Sequence, residues 1–188
     1  MIYYVSDLHL GDKNVFDVCS RPFISLRNME YEIIKRWNSK VLDNDIVYVL
    51  GDIIGQNYPQ AIEIIKQLNG KKSFVVGNHD LIMLDAIQES GVFESIEYVS
   101  LIKDNEKTVC ISHYPLMDWI DKDRGAYHVY GHIHNKTYKN GKEYAFIKKY
   151  YSDKPCFNCS VDVTNFEPVT LEEMMILKEK NKDEPYIN

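Results

Sequence analysis

The apolar positions of this chain fall into short runs, and run after run ends on a glycine or a polar residue. Residues 1–6 (MIYYVS) are β-rich and predict a strand that closes at Ser6-Asp7. A turn-rich region follows, and then NMEYEIIKRWNSK (28–40) sets Met29, Ile33, Ile34 and Trp37 at helical spacing. DIVYVLGD (45–52) predicts a second strand, closing on Gly-Asp. Pro59 opens a helix through Leu68 that Asn69-Gly70 stops, with proline early and glycine late. SFVV (73–76) predicts a third strand, broken at Gly77, and LIMLDAIQES (81–90) before Gly91 predicts a helix. The order βαβαβα implies a largely parallel sheet with helices on its faces.

Beyond residue 95 the pattern changes. IEYVSLI (96–102) and KTVCIS (107–112) flank KDNE and predict a hairpin. AYHVYG (126–131) predicts a strand ending in glycine, and residues 142–163 predict further strands. Thr170 and Glu173 form a capping box before a short helix. The charged tail KEKNKDEPYIN is expected to fray from about residue 180. No repeat, low-complexity segment or linker divides the chain, so residues 1–188 are expected to form one domain.

Composition narrows the class. A hydrophobic content of 45% and a charged content of 27% are those of a soluble globular protein. No run of about 18 apolar residues exists, so no membrane partner is expected. The start MIYYVSDLHL lacks a basic region and a small-residue cleavage site, which makes the expected location cytoplasmic. Cys156 and Cys159 form one CxxC without the second pair a zinc ribbon needs. With Cys19 and Cys110 they read as ordinary reduced thiols. The formal net charge of −6 disfavours extended nucleic acid as a partner. A phosphate ester would have to be met locally, by bound cations or by a few basic residues in a cleft.

The chemistry gathers at the strand ends. SDLH (6–9), LGD (50–52), GNHD (77–80), SHYP (112–115) and GHIH (131–134) each follow a predicted strand. In open α/β sheets that carboxyl edge is where ligands bind. Of six histidines, His9, His79, His113, His132 and His134 lie in these stretches. His128 lies inside a strand and reads as structural. With Asp7, Asp52 and Asn78 the histidines make an all-nitrogen-and-oxygen donor set, suited to Mn²⁺, Fe or Zn²⁺. Independent Asx turns and helix caps would account for any one stretch, but poorly for all five together.

In this order, DLH, GD, GNHD, SH and GHIH resemble the five-block signature of the calcineurin-like metallophosphoesterase superfamily, over residues 7–134. The resemblance implies an α+β fold, a four-layer α/β/β/α sandwich of two mixed β-sheets packed face to face and flanked by helices. It implies a dinuclear centre of divalent ions, Mn²⁺ favoured, with Fe, Zn²⁺, Ni²⁺ or Co²⁺ as alternatives. Carried over block by block, Asp7, His9 and His134 would hold one ion. Asn78, His113 and His132 would hold the other, and Asp52 would bridge them. His79 would stand beside the scissile bond, with Asp80 as its orienting partner.

The expected activity is hydrolysis of small phosphodiesters or phosphomonoesters. A metal-bridging hydroxide would attack in line, and His79 would assist the leaving group. Two divalent ions against the Asp7 and Asp52 carboxylates leave a positive centre that would draw an anionic ester to an acidic protein.

Departures from the pattern refine this. The GDxxDRG and RGNHE forms of the protein Ser/Thr phosphatases are replaced by GDIIGQNYP and VVGNHD, which lack both arginines. SDLHLG is more similar to the small bacterial and phage-type phosphoesterases. Arg21, Arg124 and Lys122 are candidates to meet phosphate oxygens, with solvated surface charge as the plainer reading. Tyr114, Trp119 and Tyr127 are candidates to stack on a base, with core packing as the plainer reading. Rival readings are a nucleotide-type pyrophosphohydrolase, a nuclease, and a non-catalytic scaffold of the same fold. No oligomeric state follows from the sequence.

Overall fold

The computed structural model describes residues 1–135 and 142–180. β1 (Ile2–Val5), β2 (Ile46–Leu50), β3 (Lys71–Val75) and β4 (Ser95–Glu97) pair in that order, all parallel. Three crossovers carry α1 (Asn14–Val18) with α2 (Leu26–Lys40), then α3 (Gln60–Lys66), then α4 (Leu84–Ser90). A second sheet runs β5 (Val99–Asp104), β6 (Lys107–Ser112), β7 (Tyr127–Tyr130) and β8 (Cys156–Asn158). Only β5–β6 is antiparallel, so this sheet is mixed. The first is parallel throughout, with one antiparallel bridge from Tyr4 to Val169.

Alternation within the strands builds the layers. Tyr3, Val5, Val47, Val49, Phe74 and Val76 face the helices and pack on Met29, Ile33 and Trp37 of α2, Ile64 and Ile65 of α3 and Ile87 of α4. Between them, Tyr4, Leu50 and Val75 face the other way and meet Val109, Ile111, Val129 and Phe157 of the second sheet. That face-to-face contact is the inner core. The outer face of the second sheet, with Cys110, Tyr130 and Cys156, is covered by Trp119, Tyr151 and Ile147 of α5 (Lys142–Tyr150). The result is the four-layer α/β/β/α sandwich. The last helix, α6 (Leu171–Lys180), tucks Leu171 and Met174 into the inner core.

Local signals explain the boundaries. Ser25 caps α2 by accepting from Asn28 N at 3.2 Å. The Thr170–Glu173 box is reciprocal: Thr170 N donates to Glu173 Oε2 at 2.8 Å and Glu173 N to Thr170 Oγ1 at 3.2 Å.

Two expectations need correction. IEYVSLI is not one strand. Its chain leaves the first sheet after Glu97, exposes Tyr98, and enters the second sheet at Val99. Residues 142–163 are not mainly strand: 142–150 form α5, which packs Ile147 and Tyr150 against the second sheet, and only 156–158 pair as β8. The tail 181–188, expected to fray, lies outside the described residues.

Register then brings the strand ends together. Val5 pairs with Val49 and Leu50 with Val75, so β1, β2 and β3 end level. In the second sheet Ile111 pairs with Val129, which pairs with Phe157. The sheets are joined at this edge by Ser6, whose N–H donates to Cys159 O at 3.1 Å and whose carbonyl accepts from Val161 N at 3.1 Å. Every block of polar residues named above therefore opens onto one rim.

Candidate metal centre

Two groups of donors at that rim draw on the sequence blocks alone, and two more form beside them, His9 with Asp12 and His79, and Cys19 with His134 and Asp162. Asp7, His9 and His134 offer ligand atoms within 4.8 Å of one another, and so do Asp52, His113 and His132. Asn78 joins the second group, its Oδ1 lying 3.1 Å from His113 Nε2. Asp52 stands between the groups. Its Oδ1 accepts from His79 N at 2.9 Å, while Oδ2 lies 3.7 Å from His9 Nε2 and 3.3 Å from His113 Nε2. One oxygen is thus anchored to backbone and the other is shared by both groups.

The backbone is bent to achieve this. Asp7, His9, Asp52, His132 and His134 all have positive φ, between 48° and 71°. An L-residue in that region costs roughly 1–2 kcal/mol. Five such residues at one rim mark a site rather than chance turns. Close approach matters as well. A Cβ on Gly77 would fall on the Asp52 carboxylate, and one on Gly131 would meet Ser6 Oγ and the Asp7 carboxylate. These glycines let a neighbouring strand end bring its acid in.

Hydrogen bonds aim the rings. His113 Nδ1–H donates to Leu50 O at 2.8 Å, leaving Nε2 for the centre. Asp7 is held by Ser6 Oγ at 2.6 Å and by His132 N at 3.1 Å. His134 Nδ1 pairs with Asp162 Oδ2 at 2.7 Å. His9 is different: it is buried, and neither ring nitrogen has a hydrogen-bond partner. Its nearest acids are Asp52, with Oδ2 3.7 Å from Nε2, and Asp12, with Oδ2 3.9 Å from Nδ1, both beyond hydrogen-bond distance. A buried imidazole with no partner is costly unless a cation takes a lone pair. The donor set fits a pair of divalent ions, and His9 is the residue that most needs one.

Burial and neighbouring charge oppose each other at Asp52 and His134. Burial alone would raise the Asp52 pKa, but the His113 hydrogen bond and the His113 charge outweigh it and hold the carboxyl at about 2. Burial would lower His134, yet Asp7 and Asp162 lift it to about 11. For His9 burial dominates, reinforced by His134, and the ring stays neutral with its pKa well below the ordinary value.

Two expectations are corrected here, those for Asp80 and Arg21. Asp80 does not orient the His79 ring. It accepts from the backbone N–H groups of Asp52 at 2.7 Å, Gly77 at 2.8 Å and Ile54 at 3.2 Å. The His79 ring is steered instead by Gly55, whose carbonyl accepts from Nδ1 at 3.1 Å. Arg21 is not available to substrate: its side chain is fully buried, and its donors go to Asp162, Leu8 O and Asp7 O. Arg124, the other basic candidate, is exposed and pairs with Asp121 at 3.0 Å. Of the three aromatic candidates, Trp119 is buried and stacked on His128, and Tyr127 stacks on Phe157. Tyr114 is the one at the rim: it packs on His132 with ring centroids 4.5 Å apart and donates to Asn78 Oδ1 at 3.3 Å. Cys156 and Cys159 are unpaired and buried, and burial pushes the Cys156 thiol up to about 12, which suits neither zinc nor redox work.

Sequence reasoning missed Asp12 and Asp162. The signal for Asp162 was present in CFNCSVDV, an acid four residues past the end of β8.

A two-sheet α/β/β/α sandwich with a candidate metal centre at one rim is what these layers and donors define. A family model described as the calcineurin-like phosphoesterase superfamily domain matches residues 1–148, and the chain belongs to that family. Members of the family use divalent metals, and the donor groups above are groups that could hold them. An uncharacterised protein of Methanocaldococcus jannaschii is 34% identical over 183 residues, covering 96% of this chain and 93% of its own. The gene 66 protein of Mycobacterium phage L5 is 26% identical over 71% of this chain and 77% of its own. A crystal structure of a protein of unknown function from Aquifex aeolicus superposes with a TM-score of 0.71 at 23% identity, covering 94% of this chain and 98% of that one. That likeness concerns the fold. No helix among the described residues is long and apolar enough to cross a membrane.

Proposed function

We propose that this chain hydrolyses small phosphate esters, diesters in preference to monoesters, using two divalent ions, with Mn²⁺ the favoured metal. The observation that carries the reading is Asp52 Oδ2 lying between His9 Nε2 and His113 Nε2, beside a buried His9 without other partners. On this reading Asp7, His9 and His134 hold one ion, Asn78, His113 and His132 the other, and Asp52 joins them. The ions would supply Lewis acidity and an activated water.

The chain's own residues do the rest. The Nδ1–H of His79 donates to Gly55 O, which fixes the ring and leaves Nε2 to deliver a proton to the departing oxygen. His79 sits against His9, with ring centroids 4.8 Å apart, so that proton is held next to the first donor group. Tyr114 forms a wall beside the second group. Arg21, whose guanidinium is taken up by Asp162 and two backbone carbonyls, is not free to clamp a terminal phosphate, which supports the diester reading. The four buried, unpaired thiols support a cytoplasmic setting.

The test is turnover after Mn²⁺ reconstitution on aryl diesters, aryl monoesters, cyclic nucleotides and dinucleotide pyrophosphates. Metal-dependent cleavage with the aryl diester fastest is expected. A monoester-only profile overturns the diester preference, and no turnover on any of the four overturns the enzyme.

A further inference from the structure

His134 turns Nε2 toward Asp7, 3.8 Å from Oδ1, and gives its other nitrogen to Asp162. The Asp162 side chain is 0% exposed. Its far side is filled by Arg21, Nε to Oδ1 at 2.8 Å and Nη2 to Oδ2 at 2.9 Å, and that side chain is also 0% exposed. The remaining guanidinium hydrogens reach Leu8 O at 2.8 Å and Asp7 O at 2.6 Å. One buried ion pair therefore touches the ring of one donor and the backbone of another. Residue 162 also lies beyond residue 148, where the family match ends.

A pair this deep carries a desolvation cost that apolar residues of the same size would avoid, so packing alone does not account for it. Its geometry does something an apolar pair could not. A carboxylate accepting Nδ1–H fixes both the tautomer and the plane of an imidazole and makes Nε2 a better donor. The bidentate guanidinium in turn stops the carboxylate from rotating. The same guanidinium ties down the carbonyls of Asp7 and Leu8, which belong to the left-handed Asp-Leu-His turn.

We propose that Asp162, locked by Arg21, is a positioning residue that presents His134 Nε2 to a divalent cation and sets the affinity of that one site. The inference rests on the reading of Asp7, His9 and His134 as a cation site. It assigns a duty to the C-terminal segment that the signature blocks do not contain.

The experiment is a Mn²⁺ titration of the full chain, with ions counted by elemental analysis and the pair of ions followed by electron paramagnetic resonance. Wild type is expected to take two ions with a spin-coupled signal. Asp162→Asn should keep one ion at wild-type affinity and weaken the other about 10–100-fold. At limiting metal the coupled signal then gives way to that of an isolated ion. Because this change leaves Arg21 buried without its partner, the neutral pair Arg21→Gln with Asp162→Asn is measured beside it, and the same one-site weakening is expected. Wild-type affinity at both sites, in a variant that melts like wild type, overturns the inference. So does loss of both sites together, or failure of both variants to fold, since the pair would then serve the core alone. A wild-type chain that takes up no ion fails the underlying reading instead, and does so before any variant is compared.

Discussion

Asp80 accepts from three buried backbone amides, those of Asp52, Gly77 and Ile54. Removing its carboxylate leaves all three unpaired where water does not reach, so Asp80→Ala should cost about 3–5 kcal/mol, read from the urea midpoint. A variant of unchanged stability but with an altered pH–rate profile would instead restore Asp80 as the partner of His79. His79 itself is predicted to behave in the opposite way. His79→Asn should leave both ions and the melting temperature in place, yet lose about 10²–10⁴ in kcat. The loss should be steepest for substrates with poor leaving groups, and a variant that releases an ion sinks the assignment. The sequence made the donors legible because each follows a strand directly, and a strand end has a definite location in a parallel sheet. It did not disclose the partners of Asp80 and Arg21. An acid next to a histidine in sequence need not touch its ring, and Arg21 meets an acid 141 residues away.

At the scale of elements, β7 and the segment after β6 are joined by His128. Its Nδ1–H donates to Cys110 O at 3.2 Å and its Nε2 accepts from Leu116 N at 3.0 Å, so only the neutral ring satisfies both bonds. Burial, opposed by the Cys110 hydrogen bond, lowers its pKa from 6.5 to about 4. Above pH 6.5 both folded and unfolded chains hold the ring neutral, and the term vanishes. Between 6.5 and 4 the unfolded chain binds the proton and the folded chain does not, so stability falls as the pH falls. The loss should reach about 2 kcal/mol by pH 5. His128→Gln, whose amide can donate and accept in the same way, should flatten that part of the curve. Equal slopes for variant and wild type would refute the account. Periodicity located the parallel half of the fold, where βαβ alternation is strong. It failed where one apolar run serves two sheets, at Glu97–Val99, and at α5, where two lysines separate the inward-packed Ile147 and Tyr150 and the short run reads as strand.

Over the whole molecule, the two sheets meet edge to edge at Ser6 and face to face through Tyr4, Leu50 and Val75. The donors come from both: Asp7, His9, Asp52 and Asn78 follow strands of the first sheet, His113, His132 and His134 strands of the second. A cation bound by donors from both sheets therefore binds only the assembled sandwich, and the unfolded chain cannot reproduce the site. Each ion then stabilises the fold by its binding free energy, about 2.7 kcal/mol at a free concentration a hundred times its Kd. For a chain of this size one such ion corresponds to a rise in Tm of roughly 5–10 °C. The five left-handed residues and the unpartnered His9 point the same way, since the metal-free fold keeps their cost without the compensating bonds. Stripping the protein with EDTA should lower Tm by at least that amount, and Mn²⁺ should restore it in a concentration-dependent manner, whereas Mg²⁺, a poor partner for imidazole, should restore little. A melting temperature indifferent to EDTA and to Mn²⁺ would mean that the rim is a structural seam between two sheets and holds no ions.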